Sequence, residues 1–279
     1  MADSRFDRSP LAARPPWHAL EALRPLALSG YRRVVVVAPH PRDEIRAAGG
    51  LLSHLTSGSS GRVEIDVLSL TRPPTHTCRG PAPRVPDDVR ALTHGALLDD
   101  LLEDEPTDDE PDPEDLPDPE DVPAREAYRA LGIGDAADDG ALAVVRRHHL
   151  GLPDGAVAAH EADVVAAVSE IVGFVADPAG LCVLAPWSSD GDSDHEAAGR
   201  AAEVVCAAYR VRLVRWLDQA WSWAGPESAE VPWRRARQLA LSETDLARKS
   251  AAAALGAAEG HDAALPAGSA PGPREVFLV

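Results

Sequence analysis

The sequence has 279 residues, 45% of them apolar, so it can bury a core large enough for one α/β domain or two small ones. No window reaches about 18 uninterrupted apolar residues, which argues against a membrane span. The net charge of −18 and the lack of a basic stripe exclude nucleic acid as a partner. Three cysteines without paired spacing, and an N-terminus without an apolar signal segment, predict a protein of the reducing cytoplasm.

Most of the negative charge lies in one segment. Residues 99–121 contain fourteen acids and no base, and a tandem hexapeptide, PDPEDL followed by PDPEDV, runs from Pro111 to Val122. Such a composition cannot bury enough apolar surface to offset the entropy lost on ordering. We therefore predict a disordered acidic insertion at about residues 79–122. We interpret it as a solvated insertion, with a lid or a docking segment for a basic partner as the alternative.

The first 30 residues are predicted to form an N-terminal arm with a short helical stretch from His18 to Leu28. The apolar run RRVVVVAP that follows is typical of a strand covered on both faces. A helix from Ile45 to Leu55 and a second strand from Val63 to Leu70 come next. Strand, helix and strand in about forty residues make a βαβ unit, which implies a parallel sheet.

Strands and helices continue to alternate after the acidic segment. The alternation favours one Rossmann-like, doubly wound domain over residues 31–279, with a mostly parallel sheet and helices on both faces. The predicted strands are 143–150, 180–185, 211–217 and 274–279, and the predicted helices are a segment from Pro123 capped by Gly132, then 160–174, 194–209 and an Ala-rich helix after the capping box Ser242–Asp245.

Two polar loops leave the ends of predicted buried strands. PHPRDE comes after Val37 and Ala38, and PWSSDGDSDHE comes after Leu184 and Ala185. Because ligands bind at the carboxyl ends of the strands in open parallel sheets, these loops bring His40, Asp43 and His195 to one edge of one sheet. Two imidazoles and one carboxylate suit zinc with a coordination position left open for water. The alternative is that all three are ordinary polar loop residues.

Together the two loops resemble the signature of the PIG-L/LmbE-like zinc-dependent N-deacetylases. That family has an apolar strand followed by AHPDDE and a later GG, and a second loop of the form P…DGHPDH. This chain has APHPRDEIRAAGG and PWSSDGDSDHEAAGR, and the resemblance spans most of residues 31–279 apart from the acidic insertion. It implies a Zn²⁺-dependent hydrolase that deacetylates an N-acetyl sugar or a natural-product intermediate, with His40, Asp43 and His195 as metal ligands.

Two of the departures from the family pattern fall on catalytic positions. Arg42 stands where the family has the Asp that acts as general base, and a guanidinium has no lone pair with which to accept a proton. Asp192 replaces the first His of the second motif, which helps to stabilise the oxyanion, and a carboxylate repels the negative charge that develops there. The resemblance further implies that Asp194 orients a neighbouring metal ligand and that Arg125 and Trp187 lie near the substrate.

These departures leave three hypotheses open. In the first, the protein is an altered metal-dependent hydrolase in which Asp192 takes over as the base and Arg42 binds an anionic group of a small N-acyl substrate. In the second, it is an inactive pseudo-deacetylase that acts as a binding or scaffold protein, and an empty metal site would count against the first hypothesis. In the third, the metal assists another reaction, such as a cyclisation or an isomerisation. Self-association into a homo-oligomer is compatible with all three.

Overall fold

The computed structural model describes residues 22–28, 30–57, 62–72, 122–135, 140–175, 177–257 and 273–279. Most of the predicted N-terminal arm, and all but the last residue of the predicted acidic insertion, lie outside these residues. In the described part of the chain, no helix is both long enough and apolar enough to cross a membrane.

The strands of the described residues form one mixed sheet. They are β1 (Arg24–Pro25), β2 (Arg33–Ala38), β3 (Val63–Thr71), β4 (Gly134–Asp135), β5 (Ala143–Leu152), β6 (Leu181–Pro186), β7 (Arg212–Trp216), β8 (Ala236–Ala240) and β9 (Arg274–Leu278). Their order across the sheet is β1-β8-β9-β7-β6-β2-β3-β5-β4. Only β9 runs antiparallel to its neighbours in this described sheet. The predicted doubly wound, mostly parallel sheet is thus confirmed.

Helices cover both faces of the sheet. In chain order they are α1 (Asp43–Leu55), α2 (Val122–Ala130), α3 (Glu161–Gly173), α4 (Ser193–Tyr209), α5 (Ala220–Trp223) and α6 (Glu243–Ala257). Helices α1, α2 and α6 contribute to the core on one face, and α3 and α4 contribute to the core on the other. Two separate hydrophobic layers therefore sandwich the sheet.

The apolar run in β2 contributes side chains to both hydrophobic layers. Val34 and Val36 lie in the core beneath α1, whereas Val35 and Val37 lie in the core beneath α3 and α4. Successive side chains of a strand point to opposite faces, so a strand buried on both sides needs an unbroken apolar run rather than an alternating one. This explains why the run in the sequence predicted a central strand.

One local prediction is corrected by the structure, and one strand was missed. The described part of the predicted helical stretch contains β1, whose Arg24 pairs with Arg237 of β8, and no α-helix. Pro25 explains the difference, because it lacks the N–H that a helix interior needs. Strand β8 was not predicted at all, since its five residues, ARQLA, have no apolar run and only a short alternation.

Helix α1 is bent where the sequence has its glycine pair. Ala48 has non-helical torsion angles, with φ −135° and ψ 15°. The Glu275 carboxylate of β9 accepts the backbone N–H groups of Gly50 and Leu51, each at 2.7 Å, and so satisfies the donors that the bend exposes. A Cβ on Gly50 would lie 2.4 Å from Leu241 Cδ2 and 2.9 Å from Glu275 Oε1, so a larger residue would force these side chains to shift. The motif glycine thus has a packing role.

The central pair β2 and β6 creates a crevice. From β2 the chain passes through α1 to β3 on one side, and from β6 it passes through α4 to β7 on the other. The loops that leave these neighbouring strands therefore diverge at the carboxyl edge of the sheet. Such a switch point is where ligands bind in doubly wound folds, and both polar loops of the sequence start there.

Candidate metal centre

The turn after β2 places His40 and Asp43 at the carboxyl edge of the sheet. Arg42, the last residue before α1, has a left-handed backbone with φ 75° and ψ 4°. Thr71, at the end of β3, donates its backbone N–H and its hydroxyl to the Pro39 carbonyl, both at 3.0 Å. These bonds hold the start of the turn against the neighbouring strand.

The loop after β6 places His195 in the first turn of α4. Asp192 caps this helix, because its Oδ1 accepts the backbone N–H groups of Asp194 and His195 at 2.9 and 3.1 Å. The helix lies so close to the loop that a Cβ on Gly199 would be 2.7 Å from the Pro186 carbonyl oxygen. The start of α4 is therefore held directly against the end of β6.

The three predicted ligands meet in one cluster. Oδ2 of Asp43 lies 2.9 Å from the backbone nitrogen of His40, 3.0 Å from His40 Nδ1 and 3.2 Å from His195 Nε2. One ligand atom from each residue lies within 4.8 Å of the others. Asp43 and His195 are buried, and His40 is half-buried. The structure thus brings His40, Asp43 and His195 together in a group that could hold a metal ion.

Each imidazole of the cluster has a carboxylate on its other ring nitrogen. Nδ1 of His195 lies 2.9 Å from Asp190 Oδ2. Nε2 of His40 lies 3.0 Å from Asp154 Oδ1 and 3.5 Å from Asp194 Oδ2. When these nitrogens carry the ring proton, the opposite nitrogens are left with lone pairs that face the inside of the cluster.

Asp190 is buried and links the second loop to the end of β7. Its two oxygens accept the backbone N–H groups of Asp218, Gln219 and Ala220 at 2.9–3.0 Å, and Oδ2 also faces Nδ1 of His195. The backbone donors fix the orientation of this carboxylate. The carboxylate in turn fixes the orientation of the His195 ring.

Arg46 joins the first loop to the same region. Its Nη2 lies 2.7 Å from Asp43 Oδ1 and 2.5 Å from Asp218 Oδ2, and its Nε lies 3.0 Å from Asp218 Oδ1. Because the backbone of Asp218 is bound by Asp190, and Asp190 faces His195, the contacts form a closed circuit around the cluster. Asp218, two residues after the end of β7, therefore stabilises the positions of both loops.

The electrostatics of the cluster set the protonation of its members. Burial by itself raises the pKa of Asp43, but His195, His40 and Arg46 hold it well below its ordinary value. Burial by itself lowers the pKa of His195, but Asp190 and Asp43 hold it well above its ordinary value. A metal ion that binds to His195 must therefore displace a proton.

Glu44, the residue after the candidate ligand Asp43, faces α2 instead of the cluster. Both Glu44 and Tyr128 are buried, and the Tyr128 hydroxyl donates to Glu44 Oε1 at 2.5 Å. Burial raises the pKa of Glu44 to about 7, and burial with the nearby carboxyl raises that of Tyr128 well above its ordinary value. The charge of Arg42 opposes both shifts, so its guanidinium lies within electrostatic reach of this pair.

Asp194 supports the cluster from the side of His40. It is buried, and its carboxylate accepts the backbone N–H groups of Gly155 and Val157 at 2.8 and 3.1 Å. These bonds hold the turn after β5, which carries Asp154. The role of Asp194 in orienting a metal ligand stays a prediction.

Arg125 and Trp187, which the resemblance places near the substrate, have contacts with other residues. Arg125, on α2, forms an ion pair with Asp135 at 2.9 Å. Trp187 is buried in a hydrophobic cluster and stacks on Trp223 with ring centroids 6.3 Å apart. For Arg125 and Trp187, a role in substrate binding stays a prediction.

Four residues of the site were not predicted. Asp190 lies inside the second motif loop and Asp154 inside the GLPDG turn, so both belong to segments that the sequence had marked. Arg46 follows Asp43 by three residues on one helix, a spacing that places two side chains on the same face. Nothing local marks Asp218, whose partner Arg46 is 172 residues away.

Comparison with protein-family models gives no match for this sequence, and comparison with curated protein sequences gives none either. Solved structures do match. A deacetylase from the teicoplanin biosynthesis pathway, solved as a complex with teicoplanin, has a TM-score of 0.51 and 13% identity over 88% of this chain and 96% of that chain.

Two further solved structures are similar over most of this chain. The N,N'-diacetylchitobiose deacetylase from Pyrococcus horikoshii has a TM-score of 0.43 and 12% identity, over 86% of this chain and 74% of that chain. The 4-carboxy-2-hydroxymuconate hydratase GalB from Pseudomonas putida KT2440 has a TM-score of 0.46 and 17% identity, over 82% and 80%. The likeness concerns the fold alone, and at that level the chain has the α/β fold of the teicoplanin-pathway deacetylase, as the resemblance of its two motifs implies.

Proposed function

We propose that the protein is a metal-dependent amide hydrolase that removes the acyl group from a small N-acyl sugar or natural-product intermediate. The observation that carries this proposal is the convergence of His40, Asp43 and His195 at the switch point of the sheet, with a carboxylate behind each imidazole. Carboxylates in that position are typical of metal sites, because they fix the ring and make the ligating nitrogen more basic.

The donor set fits Zn²⁺. Imidazole nitrogens and a carboxylate oxygen are both usual zinc ligands in proteins. Oδ2 of Asp43 lies 3.0 Å from His40 Nδ1 and 3.2 Å from His195 Nε2, so these three residues are the ones that would hold the ion. When bound, such an ion polarises an amide carbonyl and makes a bound water more acidic. Three protein ligands would leave a position for the water.

Asp192 is the proposed base. Its Oδ1 is committed to capping α4, and its Oδ2 accepts no hydrogen bond from the residues that the structure describes. The pKa of His40 is raised, against the effect of burial, first by Asp43 and also by Asp192, so this carboxylate is within electrostatic reach of the cluster. Oδ2 is therefore the atom we expect to accept a proton from the attacking water and to return it to the leaving amine.

Arg42 is proposed to bind the substrate. Its guanidinium cannot serve as a base, but it can donate two parallel hydrogen bonds to a carboxylate or a phosphate. It also adjoins the ligand Asp43 in sequence, at the start of α1. These properties favour a substrate that carries an anionic group near its amide. The teicoplanin complex of the deacetylase with the same fold makes a natural-product amide a reasonable class to test.

An inactive binding protein is the alternative. Two observations favour it: a guanidinium replaces the base at Arg42, and Asp192 has one oxygen committed to a helix cap. General-base catalysis contributes typically about 10²–10⁴-fold in rate, so a protein without a replacement base would bind its ligand and turn it over very slowly.

The deciding experiment compares the purified protein with its Asp192→Asn variant in metal content and in deacetylation of N-acetyl sugars with and without a carboxylate. Asparagine caps a helix as well as aspartate does but cannot accept the proton, so the position of His195 is kept. Loss of turnover with retained metal supports the proposal, whereas unchanged turnover removes Asp192 as the base. Activity that appears only in an Arg42→Asp/Asp192→His variant would establish the alternative for this reaction.

A further inference from the structure

The two oxygens of Asp43 face different partners. Oδ2 faces the two imidazoles, as described above, whereas Oδ1 accepts a hydrogen bond from Arg46 Nη2 at 2.7 Å. Arg46 follows one helical turn after Asp43 on α1. One oxygen of the candidate ligand is therefore bound to a permanent cation before any metal arrives.

The guanidinium of Arg46 is held so that it cannot easily turn away from Asp43. Asp218 binds it at two points, Nε at 3.0 Å and Nη2 at 2.5 Å. Asp218 is itself buried, and its backbone N–H donates to Asp190 at 3.0 Å. A planar fork with two parallel bonds to one carboxylate has a defined orientation, which a single ammonium would lack.

Oδ1 accepts a charge-assisted hydrogen bond from a guanidinium, whereas Oδ2 accepts a neutral backbone N–H from His40, so Oδ2 is the better of the two oxygens for a metal ion. Bidentate carboxylates are common for large ions of high coordination number, such as Ca²⁺, and oxygen-rich octahedral sites suit Mn²⁺. A single carboxylate oxygen with two imidazoles suits a four-coordinate ion such as Zn²⁺. The partner of Asp43 Oδ1 therefore bears on the choice of metal.

We propose that Arg46 is a specificity-determining residue that restricts Asp43 to one-oxygen ligation and so favours Zn²⁺ over ions that use a second carboxylate oxygen. This inference rests on the proposed function, since it requires that His40, Asp43 and His195 bind a metal. Arg46 acts through Asp43 and is a positioning residue. It has no part in the proton transfer assigned to Asp192.

Removal of the Arg46 charge has a second effect that must be separated from the first. A cation beside the site repels every divalent ion, so its loss raises the affinity for Zn²⁺ and Mn²⁺ alike. Only the ratio of the two dissociation constants reports on ligation geometry. The Arg46→Lys variant keeps the charge and loses the fork, whereas Arg46→Leu loses both.

The test uses the full-length protein, stripped of metal with a chelator and titrated with Zn²⁺ and with Mn²⁺. We measure the preference for Zn²⁺ as the dissociation constant of Mn²⁺ divided by that of Zn²⁺, and we expect it to fall by at least about tenfold in both variants. Tenfold is the lower end of the loss of metal affinity on substitution of residues that orient metal ligands. Arg200→Leu is the control, because Arg200 of α4 pairs with Glu161 of α3 and, in the described part of the chain, forms no hydrogen bond or ion pair with the cluster residues. Its preference should match that of the native protein.

Loading with Co²⁺ supplies a readout of geometry that does not depend on affinity. The native protein should give the intense visible absorption of a four-coordinate ion, and both Arg46 variants should give the weak absorption of a higher coordination number. An unchanged metal preference and an unchanged spectrum in Arg46→Lys and Arg46→Leu would overturn the inference alone. A native protein that binds none of the three ions would overturn both the inference and the proposed function.

Discussion

The backbone at Arg42 gives a prediction that depends only on local geometry. Its φ of 75° and ψ of 4° lie in the left-handed region, where a side chain with a Cβ costs about 1–2 kcal/mol. Arg42→Gly removes this cost but gives the unfolded chain more freedom, which offsets about 0.4–1 kcal/mol. We therefore expect Arg42→Gly to be more stable than Arg42→Ala by about 0.5–1 kcal/mol.

Arg42→Ala is the matched control, because both variants lose the guanidinium and its charge near Glu44 and Tyr128. The difference between them isolates the backbone. Unfolding in urea should give a higher midpoint for Arg42→Gly with the same slope, since the surface exposed on unfolding is unchanged. In a thermal scan the difference should be about 1–4 °C for a domain of this size.

The opposite order of stability of the two variants would refute the left-handed conformation of residue 42. Alanine is ordinarily the better residue of the two in helices by about 0.5–1 kcal/mol, so an Arg42→Ala variant that equals or exceeds Arg42→Gly would mean that residue 42 has helical torsion angles. Asn and Asp are the other residues that tolerate this conformation. The turn should therefore accept Arg42→Asp, the substitution on which the activity test depends.

Three further predictions concern carboxylates. Asp190→Asn should weaken Zn²⁺ binding by about 10–100-fold, measured by competition with a chelator, because it removes the charge behind His195; unchanged affinity would show that the backbone donors alone hold the ring. Asp192→Ala should lower the free energy of unfolding by about 1 kcal/mol through loss of the α4 cap, while Asp192→Asn should be nearly neutral, and equal losses in the two variants would contradict the capping role. Arg146, Arg33 and His148 lower the pKa of Asp66, against the effect of burial. Its ionised carboxylate therefore stabilises the fold above the pKa of about 3.9 that it has in the unfolded chain, and this stabilisation is lost as the pH falls through the lower pKa of the folded state. Asp66→Asn should thus be less stable than the native protein at neutral pH and approach it below about pH 4 in urea titrations, and a constant difference across this range would refute the assignment.

Strands and helices could be predicted where their burial produces a recognisable pattern of apolar residues in the sequence. Strands β2 and β6 are covered on both faces, so their sequences are unbroken apolar runs. The helices between strands could be predicted from their capping residues and their hydrophobic periodicity. Strand β8 lies near one edge of the sheet and carries Arg237 and Gln238 among its five residues. This strand forms by pairing with β9, which is separated from it in the chain by a helix. A pairing between distant segments leaves no local pattern in the sequence.

The candidate site was predictable where topology could bring motifs together. Two loops that follow neighbouring parallel strands must meet, so His40, Asp43 and His195 could be grouped without any coordinates. The residues that support them could not be grouped in this way. The contact of Asp218 with Arg46 and the contact of Asp190 with the backbone after β7 both arise from side-chain positions that only the packed structure defines.

The residues that would hold a metal are separate from those that would move a proton. His40, Asp43 and His195 are fixed by Asp154, Asp190 and Arg46, and none of these contacts involves the side chain of Asp192. An arginine at position 42 therefore leaves the candidate ligand cluster intact, and an enzyme and a ligand-binding protein could both contain this cluster. Bound metal alone does not distinguish the two. Asp192→Asn does, because it changes proton transfer while the cap of α4, and with it the ligand geometry, is preserved.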